Sequence, residues 1–130
     1  MTIDDRLERG RARMLEVHGE KSLRTIEGLG DLGTLILEVA YGDVYSRPGL
    51  SLRDRQIGTV AILVALGRSS QLPVHLRASL QAGISEEELR EIIIQTAVLA
   101  GFPPAMNAMS TLKTIVAELD RPAPEGRSEA

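Results

Sequence analysis

A chain of 130 residues has room for one hydrophobic core, and with 43% apolar but only 2% aromatic residues that core must be built from Leu, Ile, Val, Ala and Met. The 15 basic and 18 acidic side chains leave a net charge of -3 with no long run of one sign, which argues against nucleic acid as a partner. Cysteine is absent, which removes disulfides, thiolate metal sites and thiol redox chemistry from this polypeptide.

The first residues, Met1 to Arg6, are polar and acidic, so no secretory signal is read and a cytoplasmic location is expected. Ile3, Leu7, Met14, Leu15 and Val17 predict an amphipathic helix from Ile3 to His18, stopped by Gly19. His18 then sits at a helix end, where an imidazole meets the carbonyl dipole, and capping explains it better than chemistry. Gly28-Leu29-Gly30 lacks the preceding strand and third glycine of a dinucleotide loop and reads as a turn. Leu32, Leu35, Ile36 and Val39 predict a second helix from Asp31 to Tyr41, broken by Gly42. The segment Gly42 to Leu50, with two glycines and a proline, is predicted to be an ordered loop carrying Asp43, Tyr45 and Arg47.

Ser51 has the form of an N-cap before the uncharged run Ile57 to Leu66, giving a buried helix that ends at Gly67. Ser70 is the expected cap of the next helix, with Pro73 in its first turn, His75 on its inward stripe and Gly83 at its end. Ser85-Glu86-Glu87-Glu88 is a capping box opening a second core helix that runs to Gly101. Pro103 and Pro104 open a last helix through Leu119, and the methionines other than Met1 read as core. No segment alternates as a strand does, so the fold class is all-α, about six helices in one domain over residues 1–120, with a loose tail over 121–130. The longest uncharged run is far short of the ~18 to 20 residues a membrane span needs, so no membrane partner is expected. Small aliphatic side chains leave each helix little area to bury, which favours a core shared between subunits.

Across roughly Leu32 to Leu112, the order Tyr41-Gly42-Asp43, Ser46-Arg47-Pro48-Gly49-Leu50, Arg53-Asp54-Arg55, His75-Leu76, Gly83-Ile84-Ser85-Glu86-Glu87-Glu88 and Ala100-Gly101-Phe102-Pro103 resembles the carboxymuconolactone decarboxylase family, in its γ-carboxymuconolactone branch. The resemblance implies an alkylhydroperoxidase D-like helical fold and a homo-oligomer, a trimer or a ring-shaped hexamer, with sites near subunit contacts. Thiol peroxidases of the wider superfamily use a Cys-x-x-Cys followed by a His and supported by a Glu. Here those places hold Arg68, Gln71 and Gln56, and the peroxidase reading fails on chemistry.

The reaction implied by the resemblance takes 4-carboxymuconolactone, from aromatic-compound catabolism, to the enol-lactone of 3-oxoadipate. A γ-carboxylate leaves an unsaturated lactone as CO2 while its electron pair passes through the ring double bond into the lactone carbonyl. Such a substrate is its own electron sink, so no metal or organic cofactor is implied. The enzyme must hold the carboxylate that stays, face the developing oxyanion with a donor, and protonate the ring carbon.

His75 is the candidate acid, because its ordinary pKa lies near neutrality; a core histidine bridging two helices is the alternative. Arg47 is the candidate carboxylate clamp, against a loop-anchoring ion pair with Asp43. Arg55, in the first turn of a buried helix, is a second cation, against a structural pairing with Asp54 or Glu38. Tyr41 is a candidate donor to the lactone oxygen, against simple packing, and Glu38 a candidate to orient His75 or Arg55, against a surface carboxylate. Arg77 lies two residues from His75 and points about 200° away on a helix, outside any shared site within one subunit.

The leading expectation is a cofactor-independent decarboxylase of a small anionic lactone or keto-acid. A relative that isomerises, cyclises or hydrolyses another small acid, and a non-enzymatic ligand-binding oligomer, are the alternatives. Gln56, Leu99 and Pro104 keep them open, since the last two stand where a Tyr and a smaller residue are more usual in the family.

Overall fold

Local capping chemistry sets most helix boundaries in the computed structural model, which describes the backbone of residues 3–121 and side chains from residue 5. The elements are α1 (Ile3–His18), α2 (Glu20–Glu27), α3 (Asp31–Leu35) continuing without a break into a π-helix (Ile36–Val44), α4 (Leu52–Leu66), α5 (Leu72–Gln81), α6 (Glu86–Ala100) and α7 (Phe102–Leu119). No strand occurs among the described residues, as the all-α reading requires. The expected tail lies almost entirely outside them.

Ser51 accepts the Asp54 backbone N–H at 3.1 Å and so starts α4. Ser85 and Glu88 close a reciprocal capping box, each backbone N–H donating to the other's side chain at 3.0 Å. Gly67 ends α4 in the left-handed conformation (φ 68°, ψ 33°), which a side chain would disfavour. Gly101, at φ 95°, is the single residue separating α6 from α7, so the two helices fold back on one another without a loop.

Three expectations need correction. The helix α2 falls in a stretch the sequence reading passed over; Gly19, with φ 89°, turns the chain, and the helix resumes at Glu20. The segment after Tyr41 does not open into a loop at Gly42 but continues as a π-helix to Val44, where the Tyr45 N–H reaches back five residues to the Ala40 carbonyl at 2.8 Å. Arg9 draws out the Gly42 carbonyl (2.6 Å), and Ser46 Oγ donates to the Tyr41 carbonyl (2.7 Å), which stabilise this wider winding. Ser70 does not cap α5, whose N-cap position is Gln71 with no side-chain bond.

Two hydrophobic clusters result. One joins α4 to α7 through residues such as Val60, Leu76, Leu89, Ile93, Leu112 and Ile115, all aliphatic as the composition required. The other, of Met14, Leu23, Leu37 and Tyr41, holds α1, α2 and the π-helix together. Met14 is thus core in the second cluster and Met109 packs against the first, but Met106 is exposed, contrary to the core reading. No described helix is long and apolar enough to cross a membrane.

Candidate active site

The seam between the two clusters is where polar side chains collect. Gly10 lets α1 lie directly against the π-helix, because a Cβ there would collide with the Leu37 carbonyl. This contact is fixed at one end by charge. Arg6 holds both carboxylate oxygens of Asp43 (3.1 and 2.6 Å) and reaches Glu38 at 3.5 Å, while Arg9 reaches Asp43 at 3.3 Å. At the other end α1 delivers His18 to the inner face of α5.

There His18 and His75 meet edge to face, ring centroids 4.8 Å apart at 90°. The Tyr41 hydroxyl lies 2.8 Å from His18 Nε2. Tyr41 stacks on Tyr45 at 5.2 Å, and the Tyr45 hydroxyl shares a short hydrogen bond with Thr59 of α4. On its other side, His75 Nδ1 faces Gln56 Oε1 at 3.4 Å, and Gln56 is 1% exposed. The Ser79 hydroxyl donates to the His75 carbonyl at 2.7 Å and anchors that turn of α5.

Burial decides the protonation states. It drives the His18 pKa from 6.5 down to about 4, helped by the adjacent His75, and it pushes His75 down as well. It raises the phenols of Tyr41 and Tyr45. Both imidazoles are therefore neutral at pH 7. A protonated Tyr41 hydroxyl donating to His18 Nε2 corresponds to the His18 tautomer with hydrogen on Nδ1. The acceptor oxygen of Gln56 likewise selects hydrogen on His75 Nδ1, so His75 Nε2 carries the free lone pair.

Three buried side-chain atoms have no hydrogen-bond partner among the described residues: His18 Nδ1, Arg55 Nε and Gln56 Nε2. All are nitrogens able to donate, and each belongs to a side chain of this cluster or beside it. Buried donors left unmatched are costly, by about 1–3 kcal/mol each. Gln56 also lines a cleft of about 270 Å3 between α1, α4 and α5, together with Val17, Arg53 and Ala78.

The predicted site residues divide. His75 is central, and its ring is half-buried against polar neighbours rather than locked in hydrocarbon. Arg55 donates to the Arg47 carbonyl at 3.1 Å, so the structural pairing with Asp54 or Glu38 is replaced by a tie to the turn after the π-helix. Arg47 does not pair with Asp43, which Arg6 and Arg9 occupy; its exposed side chain makes no hydrogen bond or ion pair among the described residues. Tyr41 is 7% exposed, and its hydroxyl lies 2.8 Å from His18 Nε2. Glu38 is neither a surface carboxylate nor a partner of His75 or Arg55: its side chain is 14% exposed and pairs with Arg6. Arg77 points away as expected and pairs with Glu118 at 2.9 Å.

Sequence reasoning missed His18 by treating it as a helix cap. Gln56 was singled out only as a missing glutamate. The Tyr45–Thr59 pair carried no motif at all. No cluster of three or more His, Asp or Glu suited to a metal ion occurs among the described residues.

The model of the carboxymuconolactone decarboxylase family matches residues 30–114, which include the π-helix, Gln56 and His75. The 4-carboxymuconolactone decarboxylase of Acinetobacter baylyi is 36% identical over 124 residues, 92% of each chain. The nitrosuccinic acid decarboxylase npaB of Metarhizium robertsii is 35% identical over 88 residues, 67% of this chain and 62% of that one. An uncharacterised 15.0 kDa protein of Paracoccus denitrificans is 29% identical over 87 residues. A family match over most of the chain and a full-length relative above 30% identity lead to one conclusion: the chain belongs to the carboxymuconolactone decarboxylase family.

Proposed function

We propose that this protein is a carboxy-lyase that decarboxylates a small, doubly charged acid whose own structure accepts the electron pair, with 4-carboxymuconolactone as the reference substrate. The observation that carries the reading is the pair of unpartnered buried donors on Arg55 and Gln56, consecutive on α4, with Gln56 Oε1 3.4 Å from His75 Nδ1. A dianion supplies the acceptors they lack. The names of the two decarboxylase relatives support the reaction type. A lactone conjugated to its ring double bond and a nitro group are both electron sinks by ordinary chemistry, so one site geometry suits either class.

In this reading Arg47, with Arg55 behind it, holds the carboxylate that stays. The opposite charge of the incoming dianion raises the pKa of His75, which takes a proton from solvent on Nε2. The C–C bond to the departing carboxylate breaks, CO2 leaves, and the electron pair enters the ring as a dienolate. The His75 Nε2–H then protonates the ring carbon, and one proton is consumed per CO2 released. The donors of Arg55 and Gln56 oppose the charge that develops on the lactone oxygen.

We also propose that a second copy of the chain covers the apolar face of α6 and α7. Val98 is 80% and Leu99 90% exposed, with Phe102 and Met106 beside them, next to an apolar groove of about 350 Å3. Incubation of the purified protein with 4-carboxymuconolactone, following CO2, is the test. Release at an enzymatic rate from a preparation that sediments above the monomer mass is expected; no release sinks the substrate assignment. Arg47→Ala should raise KM about tenfold with a smaller change in kcat, the signature of lost carboxylate binding.

A further inference from the structure

The proposed chemistry leaves the His18 imidazole without a role. His18 comes from α1, outside the helices that carry His75, Arg55 and Gln56, and it makes two directional contacts. Its Nε2 accepts from Tyr41, and its ring stands at 90° against the His75 ring. Tyr41 is itself fixed, 7% exposed within the second hydrophobic cluster and stacked on Tyr45. The His75 ring is therefore held between two supports: His18, braced by Tyr41, on one side and the Gln56 amide on the other.

We infer that His18 is a positioning residue for His75, a second imidazole that fixes the orientation and tautomer of the reacting ring and does not itself touch substrate. The inference rests on the proposed decarboxylation for its kinetic readout but not for its spectroscopic one. The 3.4 Å contact to Gln56 is long for a hydrogen bond and cannot by itself stop the His75 ring from turning about its Cβ–Cγ bond. The perpendicular His18 ring, its centroid 4.8 Å away, is the second contact that would limit that rotation. A neutral support is also required, because two imidazoliums at 4.8 Å would repel, and His18 is the more deeply suppressed of the pair. The site's single proton therefore goes to His75.

The groups that bear on the pair are few. From α1 it is His18 itself, from the π-helix Tyr41 with Tyr45 behind it, and from α4 Gln56 with Arg55 one position before it. On α7, Glu118 is bound to Arg77, two positions beyond His75 on α5. The folded state thus resists protonation of His18 between its ordinary pKa of 6.5 and about 4, while the unfolded chain does not. Stability attributable to this residue is present above pH 6.5 and is lost as pH falls through that window.

The test compares His18→Leu, His18→Gln and Tyr41→Phe with the parent protein. Turnover of 4-carboxymuconolactone should fall about tenfold in His18→Leu with KM within about twofold, and less in Tyr41→Phe. His18→Gln, which can still accept from Tyr41, should recover most of the loss. In the resting proteins, imidazole nitrogen NMR should show one His75 tautomer, hydrogen on Nδ1, in the parent and a mixture in His18→Leu. Retention of full kcat and of the single tautomer in His18→Leu would overturn the inference. If the parent itself releases no CO2, the proposed substrate is wrong while the tautomer comparison still decides the role of His18. Should His18→Leu fail to fold, Tyr41→Phe, which keeps the ring and removes only the hydroxyl, gives the same comparison, and an unaltered tautomer population and kcat there overturn it equally.

Discussion

Replacing His75 by Gln is expected to lower kcat roughly a thousandfold, because the proposed ring-carbon protonation loses its acid while Arg47 and Arg55, the proposed carboxylate holders, remain. The glutamine amide is close in size to imidazole and can still meet Gln56, and the Ser79 bond to the residue 75 carbonyl is untouched, so the helical fold should survive. Steady-state kinetics together with circular dichroism measure both. A folded His75→Gln protein with kcat within about tenfold of the parent would remove His75 from the chemistry.

The largest expected effect on stability lies away from the site, at Gly10. An alanine Cβ there would fall inside the Leu37 carbonyl and 3.3 Å from the Gly42 nitrogen, both backbone, so no side chain can yield. The helix α1 would have to lift from the π-helix, and a loss of about 3 kcal/mol follows from overpacking of this kind. Thermal unfolding should shift down by about 10 °C for a chain of this size. Gly58, by contrast, faces open space within α4, and Gly58→Ala should stabilise by up to about 1 kcal/mol through the unfolded chain. Opposite signs for two Gly→Ala changes isolate the close approach from helix propensity. Equal shifts would show that α1 does not rest on the π-helix as described. Because α1 carries His18, lifting it also removes the support for His75, so activity should fall further than the folded fraction alone accounts for.

What the sequence disclosed and what it hid follow from the range of the interactions. Ser51, Ser85 with Glu88, and Gly67 act on neighbours within four residues, and their consequences were legible before any coordinates. His75 was legible because helical spacing put it on the inward stripe of α5. The π-helix was not, since Gly42 ordinarily ends a helix and one of the contacts that hold the wider winding comes from Arg9, 33 residues earlier. The alternative for Arg47, an ion pair with the nearby Asp43, gives way to Arg6 and Arg9, which α1 brings to that carboxylate. His18 was misread for the same reason: its partner His75 is distant in sequence, and only the packing of α1 across α5 makes them neighbours. Met106 shows the limit of periodicity, which marks an apolar face without saying whether this chain or another copy covers it.

The central claim is that His75 rests neutral among unmatched donors and acquires its proton when a dianion arrives. With only two histidines in the chain, each imidazole resonance is assigned by one substitution, and His75 can be titrated by NMR with and without saturating succinate as a non-reactive dianion. The account predicts a His75 pKa below 6.5 in the free protein, rising by about one unit or more in the complex. A His75 that titrates above 6.5 without ligand, or whose pKa succinate leaves unmoved at saturation, would contradict it.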